Sequence, residues 1–546
     1  MPGQDAIPPQ DMPLQDKPLQ DMPSPDLPRQ DGRIQPDVLI AGAGPTGLVL
    51  ALWASRQGLR VRILDRSDGP GKTSRAMAVQ ARTLELYRQL DLADAVATAG
   101  NKTFTMNLWA RGRPMAKLRL NDAGRDVTPY PFALIYPQDD HERFLIERLR
   151  ALGVEVERQT ELLSFEDEGE RVVAVLRRAD GREERCEAAY LAGCDGASST
   201  VRHGLGGRFE GGTYPQVFYV ADVRLSGIQT AGEGHIVLDK ADFVLLLAYG
   251  HEDRYRMIGT VRGERAEHPE RLTMADVASE AIGNLPVRID SVNWFSAYRV
   301  HHRVTDHFRK GRVFLLGDAA HVHSPVGGQG MNTGIADAIN LAWKLAAVVH
   351  GRAADTLLDS YDAERRAFAE RLVQTTDRLF TFATAPGRFA GLVRTRLAPI
   401  LLGVAFRFGG VREFLFRTIS QTTLNYRASP LSVGRAGRVA GGDRLPWVPL
   451  AGADNYDSLY DLGPPPASGW QLHVYGEGKP GLEAWCDRHG VALHAFAWRP
   501  EHGKAGLAKD AAYLLRPDSY VALADPHGTV DALTDYWIRA GLGRPD

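Results

Sequence analysis

Three glycines with the spacing Gly-x-Gly-x-x-Gly lie near the start of the chain, at Gly42, Gly44 and Gly47. A β-rich run, 37–41, precedes them, and a segment with helical spacing, 48–57, follows. In such a unit the first glycine permits a tight turn, the second lets the backbone approach a pyrophosphate, and the third lets helix and strand pack closely. The helix N-terminus adds free N–H donors and a partial positive charge.

An acidic residue, Asp65, ends the next predicted strand, 61–65. A carboxylate at this place in a βαβ unit accepts hydrogen bonds from ribose hydroxyls. The unit therefore predicts a dinucleotide site, and at this point both NAD and FAD fit it. A turn that needs its glycines only for its own geometry is the structural alternative.

A second glycine-rich stretch lies far along the chain. A buried strand runs into Gly317-Asp318-Ala319-Ala320-His321, and the glycine-rich 323–332 leads into a predicted helix. An NAD site does not need this second element, whereas an FAD site does, because the ribitol and flavin extend beyond the pyrophosphate. Asp318 can bind ribitol hydroxyls, and the helix N-terminus at Met331 and Asn332 can stabilise negative charge on a reduced ring. FAD is the predicted cofactor.

The third motif is 194–202, Cys-Asp-Gly-Ala-Ser-Ser-Thr-Val-Arg. Asp195 follows a strand, and Ser198 or Ser199 can cap the next helix. By itself this motif is a strand-to-helix turn.

These motifs together resemble the class A (single-component) FAD-dependent aromatic monooxygenases, and are most similar to the phenol, 3-(3-hydroxyphenyl)propionate and polyketide hydroxylases. The resemblance covers about 36–435 and rests on the stretches 42–47, 74–76, 80–85, 194–197, 317–321 and 325–334. It implies FAD as cofactor, NADPH or NADH as a transient reductant and O2 as co-substrate. The implied reaction is hydroxylation of a phenolic or polycyclic aromatic molecule by a flavin C4a-hydroperoxide.

The resemblance also assigns roles to residues. Arg75 resembles an arginine near the flavin ring, and Pro325 with the backbone of 327–332 resembles the flavin-edge loop beside the substrate, so Arg75 and Pro325 are the predicted catalytic residues. The implied cofactor contacts are Gly42, Gly44, Gly47, Asp65, Arg66, Arg75, Gln138, Asp195, Asp318, Gly328, Gly330, Met331 and Asn332. Asp65 is a departure, since many relatives have Glu there, but the shorter acid still reaches a ribose.

The substrate is expected where a sheet-rich segment, mainly 211–303, faces the flavin. Aromatic residues of that segment are the candidates for the pocket, with core packing as the alternative for each: Tyr219, Phe243, Tyr249 and Trp294. No acid–base residue stands out. His235, His301 and His302 are the candidate bases, with surface or core histidines as the alternative.

The predicted fold class is α/β: a Rossmann-like FAD-binding domain of the glutathione-reductase type with an interleaved antiparallel-sheet substrate domain and a separate C-terminal domain, which the resemblance implies is thioredoxin-like and lacks CxxC. The predicted boundaries are 36–435 for the first two and 436–546 for the last. Residues 1–35 carry a five-residue Pro/Asp repeat, which predicts a flexible tail. There are 3 cysteines and no CxxC, which fits a thioredoxin-like domain without redox function and excludes a zinc ribbon.

Composition limits the partners. The 65 basic and 67 acidic residues nearly cancel, so nucleic acid is not expected. The most apolar late run, 397–406, is half the length of about twenty residues that a membrane span needs. The N-terminus lacks a basic and an apolar signal region, and the expected location is cytoplasmic. The sequence is compatible with a homodimer and does not decide the oligomeric state.

Two alternatives of other classes remain at this stage. The same scaffold could carry out Baeyer–Villiger or epoxidising oxygenation, or act as an FAD-dependent reductase. The chain could also be a non-catalytic flavin-binding or scaffold protein whose repeat tail recruits a partner.

Overall fold

The nucleotide-binding part is built on a short strand of four apolar residues, Val38–Ala41, each at most 2% exposed. Such continuous apolar runs form the inner strands of parallel sheets that helices cover on both faces. The computed structural model describes residues 35–71, 76–227, 232–238, 243–250, 253–261, 266–277, 285–324, 328–384, 393–450, 452–460 and 469–543. The predicted tail, 1–35, lies outside the described residues except for its last position.

The first part of the chain contains most of the nucleotide-binding elements. Its strands are β1 (Val38–Ala41), β2 (Val61–Asp65), β3 (Ala78–Val79), β4 (Asn101–Thr103), β5 (Thr105–Ala110), β6 (Arg113–Arg119), β7 (Ala133–Ile135), β8 (Val156–Arg158), β9 (Glu161–Asp167), β10 (Val172–Arg177), β11 (Glu183–Ala188) and β12 (Tyr190–Gly193). Its helices are α1 (Pro45–Arg56), α2 (Ala81–Arg88), α3 (Ala93–Ala99), α4 (Leu120–Gly124), α5 (Gln138–Ala151) and α6 (Thr200–Gly204).

Long strands follow, and then helices. The strands are β13 (Phe209–Ser226), β14 (Glu233–Leu238), β15 (Phe243–Ala248), β16 (Arg254–Val261), β17 (Arg288–Thr305), β18 (Arg309–Lys310), β19 (Val313–Leu315) and β20 (His321–Val322). The helices are α7 (Gly330–Val349), α8 (Asp359–Thr384), α9 (Ala398–Ala405) and α10 (Gly409–Ile419). None of the helices in the described part of the chain has the length and apolarity to cross a bilayer.

The C-terminal part has a sheet of its own. Its strands are β21 (Val433–Ala436), β22 (Val439–Ala440), β23 (Pro449–Leu450), β24 (Ala453–Asp454), β25 (Gln471–Tyr475), β26 (Ala492–Phe496), β27 (Ala512–Leu515) and β28 (Val521–Asp525). Its helices are α11 (Leu482–His489), α12 (Pro500–Ala505) and α13 (Val530–Arg539). The sheet has the order β22-β21-β28-β27-β25-β26, so it begins at Val433, three residues before the predicted boundary.

Two sheets divide the rest of the chain. The nucleotide-binding sheet has the order β18-β19-β12-β1-β2-β8, with β19, β12, β1, β2 and β8 parallel. Because β19 returns to pair with β12, the long strands between them are an insertion into one α/β unit. The predicted α/β class and the interleaved arrangement are therefore confirmed.

The interleaved sheet has the order β20-β17-β13-β16-β15-β14-β5-β6. Its strands pair antiparallel except β14 and β5, which are parallel. The hairpin of β5 and β6 comes from well before the segment 211–303 in which the sequence placed this sheet. The short β20 belongs to the second glycine-rich motif, so that motif is hydrogen-bonded to the edge of the interleaved sheet.

The C-terminal part packs directly on the nucleotide-binding part. Trp343 of α7 belongs to the same apolar cluster as Trp470, with ring centroids 5.7 Å apart. Arg444 also crosses the boundary, since its Nε lies 2.8 Å from a carboxylate oxygen of Glu85 on α2. Burial opposes the ionisation of Glu85, but Arg444 and Arg82 hold the pKa of this carboxyl below its usual value.

Arg444→Met is expected to lower the free energy of unfolding by about 3–5 kcal/mol, because Glu85 would keep a buried charge without its main partner. Arg427→Met is the matched control, since Arg427 is 60% exposed and its ion pair with Asp443 contributes at most about 1 kcal/mol. Denaturant unfolding of the two variants checks the difference. Equal losses would show that the contact between Arg444 and Glu85 is not a stabilising one.

Candidate active site

The first glycine motif forms the turn from β1 into α1. Gly42 has φ +104°, and a Cβ there would lie 2.2 Å from the carbonyl oxygen of Cys194. A Cβ at Gly47 would lie 2.0 Å from the carbonyl oxygen of Gly42. A Cβ at Gly44, by contrast, would meet no described atom within 4 Å. Two of the glycines are therefore required by packing, and the third leaves open space at the helix N-terminus.

Asp65 holds this turn in place. One of its carboxylate oxygens accepts a hydrogen bond from the backbone N–H of Ala43 at 2.7 Å, and the other accepts one from Ser67 at 2.8 Å. Arg66, next in sequence, is exposed. Both residues thus lie at the end of β2 beside the glycine turn, as the βαβ unit requires.

The second motif meets the first through Thr46. A Cβ at Gly317 would lie 2.7 Å from Thr46 Oγ1, and a Cβ at Gly334 would lie 2.3 Å from it. Gly317 has φ +57° and begins a short 3-10 turn in which Asp318 is exposed. Two stretches that are far apart in sequence therefore meet at the start of α1, and the region between them, with Asp318 exposed at its surface, is called the groove below.

The buried acid Asp337, on helix α7, hydrogen-bonds to the turn at Gly317. Asp337 accepts a hydrogen bond from the backbone N–H of Gly317 at 3.0 Å and lies 2.7 Å from His321 Nε2. Its other oxygen lies 2.5 Å from Arg365 Nε. Burial works against its ionisation, but Arg365 and His321 hold the pKa of Asp337 below its usual value. A lone acid in an apolar helix was the sequence signal for Asp337, whereas nothing in the sequence pointed to Arg365.

Asn332 fixes the loop that leads into α7. Its Nδ2 donates to the carbonyl oxygens of Ala78, at 2.8 Å, and Gly328, at 3.0 Å. Its Oδ1 accepts from the backbone N–H of Gln80, at 2.9 Å, and from Thr83 Oγ1, at 2.8 Å. The Asn332 side chain is therefore engaged with the protein, so that only its backbone is left for a cofactor.

The remaining members of this loop are less enclosed. Gly328 has φ +62°, and Gly330 and Met331 begin α7, where both are half-buried. Pro325 lies outside the described residues, as do Arg75 and the side chain of Phe243.

The third motif joins the other two. Asp195 follows β12, and its Oδ2 accepts from the backbone N–H of Val201 at 3.1 Å. Its Oδ1 is buried and has no hydrogen-bond partner among the described residues. Arg202 donates to the carbonyl oxygens of Ala319 at 2.8 Å and Ala197 at 2.6 Å, which ties this motif to the turn at Asp318. The sequence included Arg202 in the motif but gave it no role.

Gln138 opens helix α5. Its Nε2 donates to Glu142 Oε1 at 2.8 Å, and its backbone N–H donates to the carbonyl oxygen of Ala76 at 3.1 Å. The backbone N–H of Gly71 donates to the other oxygen of Glu142 at 3.1 Å. Burial raises the pKa of Glu142. The residues on both sides of 72–75 are therefore held by the first turns of α5.

His323 is a site residue that the sequence did not single out. Its Nδ1 lies 2.8 Å from the carbonyl oxygen of Ser324, and burial lowers its pKa to about 4. The ring is neutral at pH 7, so Nδ1–H donates and Nε2 is left as an acceptor. Nε2 is buried without a partner in the described part of the chain. Together with Asp195 Oδ1 and the open space at Gly44, it fits a polar ligand that runs along this groove.

The interleaved sheet has one face toward this groove. Asp222, Arg256 and Trp294 are neighbours on adjacent strands, so their side chains share a face. Arg256 forms an ion pair with Asp222, and its Cζ lies 5.8 Å from the ring centroid of Trp294 and 5.4 Å from that of Tyr249. Tyr249 packs in a cluster with Met77 of the nucleotide-binding part. Tyr249 and Trp294 are therefore brought together on the side of the cofactor groove.

Tyr219 lies on the opposite face. It stacks on Phe295, with centroids 6.0 Å apart, and packs in a cluster with Met274 and Leu285. It is 2% exposed, and a Cβ at Gly259 would lie 2.3 Å from its hydroxyl. The structure thus places Tyr219 in the core of the sheet and not with Tyr249 and Trp294.

Two of the three candidate bases, His235 and His301, lie on the face of Tyr219. His235 shares the face of Tyr219, is 2% exposed, and accepts from Trp109 Nε1 at 3.0 Å. His301 is exposed and bonded to Thr213 Oγ1 at 2.7 Å, and the ring of His302 packs against that of Tyr214. His302 lies at even spacing from Trp294 on β17, so it is on the same face as Trp294, where Tyr214 packs with Phe218.

The three motifs and the facing sheet define a flavin-binding α/β enzyme. A family model described as FAD binding domain matches residues 35–376. The chain belongs to this family and, within it, to the class A flavoprotein aromatic monooxygenases. FAD is its cofactor, and the prediction of flavin-dependent aromatic hydroxylation is confirmed.

Its similarity to characterised relatives extends over most of the chain. The chain is 41% identical to 6-methylpretetramide 4-monooxygenase of Streptomyces rimosus, over 74% of this chain and 72% of that one. It is 32% identical to 12-dehydrotetracycline 5-monooxygenase/anhydrotetracycline 6-monooxygenase of Streptomyces rimosus subsp. rimosus, over 93% and 99%. Among solved structures, an anhydrotetracycline hydroxylase from Streptomyces rimosus superposes with a TM-score of 0.74 at 30% identity, covering 94% of this chain and 100% of that one.

Gly44→Ala is expected to weaken FAD binding by about tenfold or more, since its methyl group would occupy the space in which a pyrophosphate approaches the backbone. The apoprotein is expected to keep its thermal midpoint, because that methyl group meets no described atom. Titration of FAD into apoprotein, followed by flavin fluorescence, measures the change. Gly410→Ala is the control, since a Cβ there also meets nothing within 4 Å. An unchanged affinity in Gly44→Ala would remove the pyrophosphate from this turn.

Proposed function

We propose that this enzyme uses NADPH or NADH and O2 to hydroxylate a fused-ring phenolic compound. The observation that carries the proposal is the convergence of three motifs beside the open space at Gly44, together with a sheet face that presents Tyr249, Trp294 and Arg256. The relatives named above act on 6-methylpretetramide and on dehydro- and anhydrotetracycline, and we propose a substrate of the same kind.

The cofactor residues have distinct proposed tasks. Gly42, Gly44, Gly47, Asp65 and Arg66 would hold the ADP half, because they surround the N-terminus of α1. Further along the groove, Asp318 would hold the ribitol, Gln138 the flavin linker, and Asp195 would contact the cofactor where the first and third motifs meet. The backbone of Gly328, Gly330, Met331 and Asn332 would lie along the flavin edge, and Arg75 and Pro325 beside the ring.

When bound, FAD accepts two electrons from the nicotinamide and makes O2 able to transfer one oxygen atom. The net reaction converts NAD(P)H, a proton, O2 and an aromatic C–H into NAD(P)⁺, water and a phenolic C–OH. The protein orients the substrate and excludes water from the reacting carbon, because aromatic side chains line that side of the site. Burial and the hydrogen bond to the Asp222 carboxylate raise the pKa of Tyr249, so its hydroxyl stays protonated at neutral pH and helps to fix the Asp222–Arg256 pair on this face.

The C-terminal part, 433–543, is proposed to be a thioredoxin-like domain that has lost redox function. Its mixed sheet and flanking helices support this assignment, and its one cysteine, Cys486, is buried. Burial raises the pKa of the Cys486 thiol to about 12, which disfavours the reactive thiolate. The cytoplasmic location and a homodimer stay predictions.

Purified holoenzyme is expected to oxidise NADPH or NADH faster in the presence of fused-ring phenols, and to give products heavier by one oxygen atom. A screen of phenolic and polycyclic compounds, with NAD(P)H consumption and product mass measured, tests this. A reduced product without added oxygen would identify a reductase, and an ester or an epoxide would identify another oxygenation. Consumption that no aromatic compound stimulates would contradict the proposal.

Tyr249→Phe is expected to raise KM for the aromatic substrate by about threefold to tenfold, because it removes the hydroxyl that helps to hold the Asp222–Arg256 pair on the substrate side. Tyr219→Phe removes the same hydroxyl from the opposite face of the same sheet and is expected to leave KM unchanged. Steady-state kinetics with the substrate found in the screen compares the two. Equal effects on KM would show that the sheet does not face the substrate as proposed.

A further inference from the structure

We propose that the C-terminal domain positions 328–332, the described part of the flavin-edge loop, and that it does so through helix α2. Arg82 and Thr83 are the positioning residues, because one faces the C-terminal domain and the other faces the loop. This inference rests on the proposed function for the place of the flavin, but its contacts stand independently of any substrate.

The first link joins the loop to α2. Asn332 is fully buried, and its Oδ1 accepts hydrogen bonds from Thr83 Oγ1 at 2.8 Å and from the backbone N–H of Gln80 at 2.9 Å. Gly328 and Gly330 have no side chains to anchor the loop, Met331 packs on the apolar core, and the Asn332 amide supplies the hydrogen bonds that join the loop to α2. The position of α2 therefore sets the position of the loop.

The second link joins α2 to the C-terminal domain. Arg82 is 2% exposed, and its guanidinium donates to the carbonyl oxygen of Asp518 and to Ser519 Oγ, both at 2.9 Å. One turn further along α2, Glu85 accepts from Arg444 and from Thr128. The buried face of α2 is thus fixed by the C-terminal domain from two points.

The third link joins the hairpin of β27 and β28, which carries Asp518 and Ser519 in its turn, to helix α7. The flavin-edge loop leads into this helix. Asp518 Oδ2 accepts from Trp343 Nε1 at 3.2 Å and from Arg516 at 2.6 Å. Arg516 also binds Glu364, which accepts from Asn340 at 2.7 Å. The turn between β27 and β28 therefore contacts both helices whose N-terminal ends meet at Asn332.

A small displacement of α2 or α7 would move the loop relative to the flavin edge. Reactions of this kind depend strongly on distance, since a misplacement of about 1 Å can lower a rate by about a hundredfold. The expected signature of a misplaced loop is weaker FAD binding together with more H2O2 released per NAD(P)H consumed. A purely structural role would instead change only the thermal midpoint.

The test is a double-mutant cycle on hydroxyl groups, which avoids unpaired buried charges. Ser519→Ala removes an acceptor from Arg82, and Thr83→Val removes the donor to Asn332. Each is expected to raise the FAD dissociation constant of the apoprotein by about fivefold, the value of one hydrogen bond. The double variant is expected to bind FAD with an affinity no lower than that of the weaker-binding single variant. Thr83→Ser is expected to restore the wild-type affinity for FAD.

Ser458→Ala is the matched control. Ser458 lies in the same domain, and its hydroxyl bonds to the carbonyl oxygen of Asn455 and to His473, away from α2. It is expected to keep FAD affinity and the H2O2 fraction of the wild type, whatever its thermal midpoint. Arg82→Lys probes the same link from the other side if Ser519→Ala does not fold.

The outcomes separate this inference from the proposed function. Effects of Ser519→Ala and Thr83→Val that multiply in the double variant overturn the inference, as do unchanged FAD affinity in either single variant or an equal loss in Ser458→Ala. A wild-type protein that binds FAD but hydroxylates no aromatic compound overturns the proposed function, while the cycle of FAD affinities still tests the positioning role.

Discussion

The close approach of backbone to backbone at Gly42 is the constraint on which the rest of the structure depends. A single added carbon would meet the carbonyl oxygen of Cys194, and one at Gly47 would meet Gly42 itself. Strand β1, helix α1 and the turn after β12 can therefore share one site only where side chains are absent. Because α1 is held this close, Thr46 at its start reaches Gly317, and the second motif joins the first.

Buried charges set the positions of the larger parts. Asp337 with Arg365, Glu364 with Arg516, and Glu85 with Arg444 are all removed from water, and each acid has a cation in contact. Such pairs add little net stability relative to apolar packing, but they tolerate little change in geometry because an unpaired partner is strongly unfavourable. We interpret them as the reason why helices α2, α7 and α8 and the C-terminal domain keep one arrangement.

The sequence predicted the parts of the site that depend on local geometry. The turn at 42–47, the turn at Asp318 and the start of α7 follow from glycine, acid and helix signals within a few residues. It could not predict which face of a strand meets the groove, since a shift of one residue reverses every side chain. Tyr219 and Tyr249 therefore looked equivalent. Nor could it place the β5–β6 hairpin in the interleaved sheet, because pairing between distant strands leaves no local pattern.

The pairing of β20 with β17 explains how one scaffold can hold both the cofactor and the substrate. Strand β20 follows directly from the turn that carries Asp318, and Val322 and His321 pair with Arg303 and Val304 of β17. The same long strand carries Trp294 on the groove side of the interleaved sheet. The sheet face proposed to meet the substrate is thus a hydrogen-bonded continuation of the segment proposed to hold the ribitol. Since sheet hydrogen bonds leave little freedom along a strand, this arrangement would set the distance from flavin to aromatic ring by strand register rather than by flexible loops.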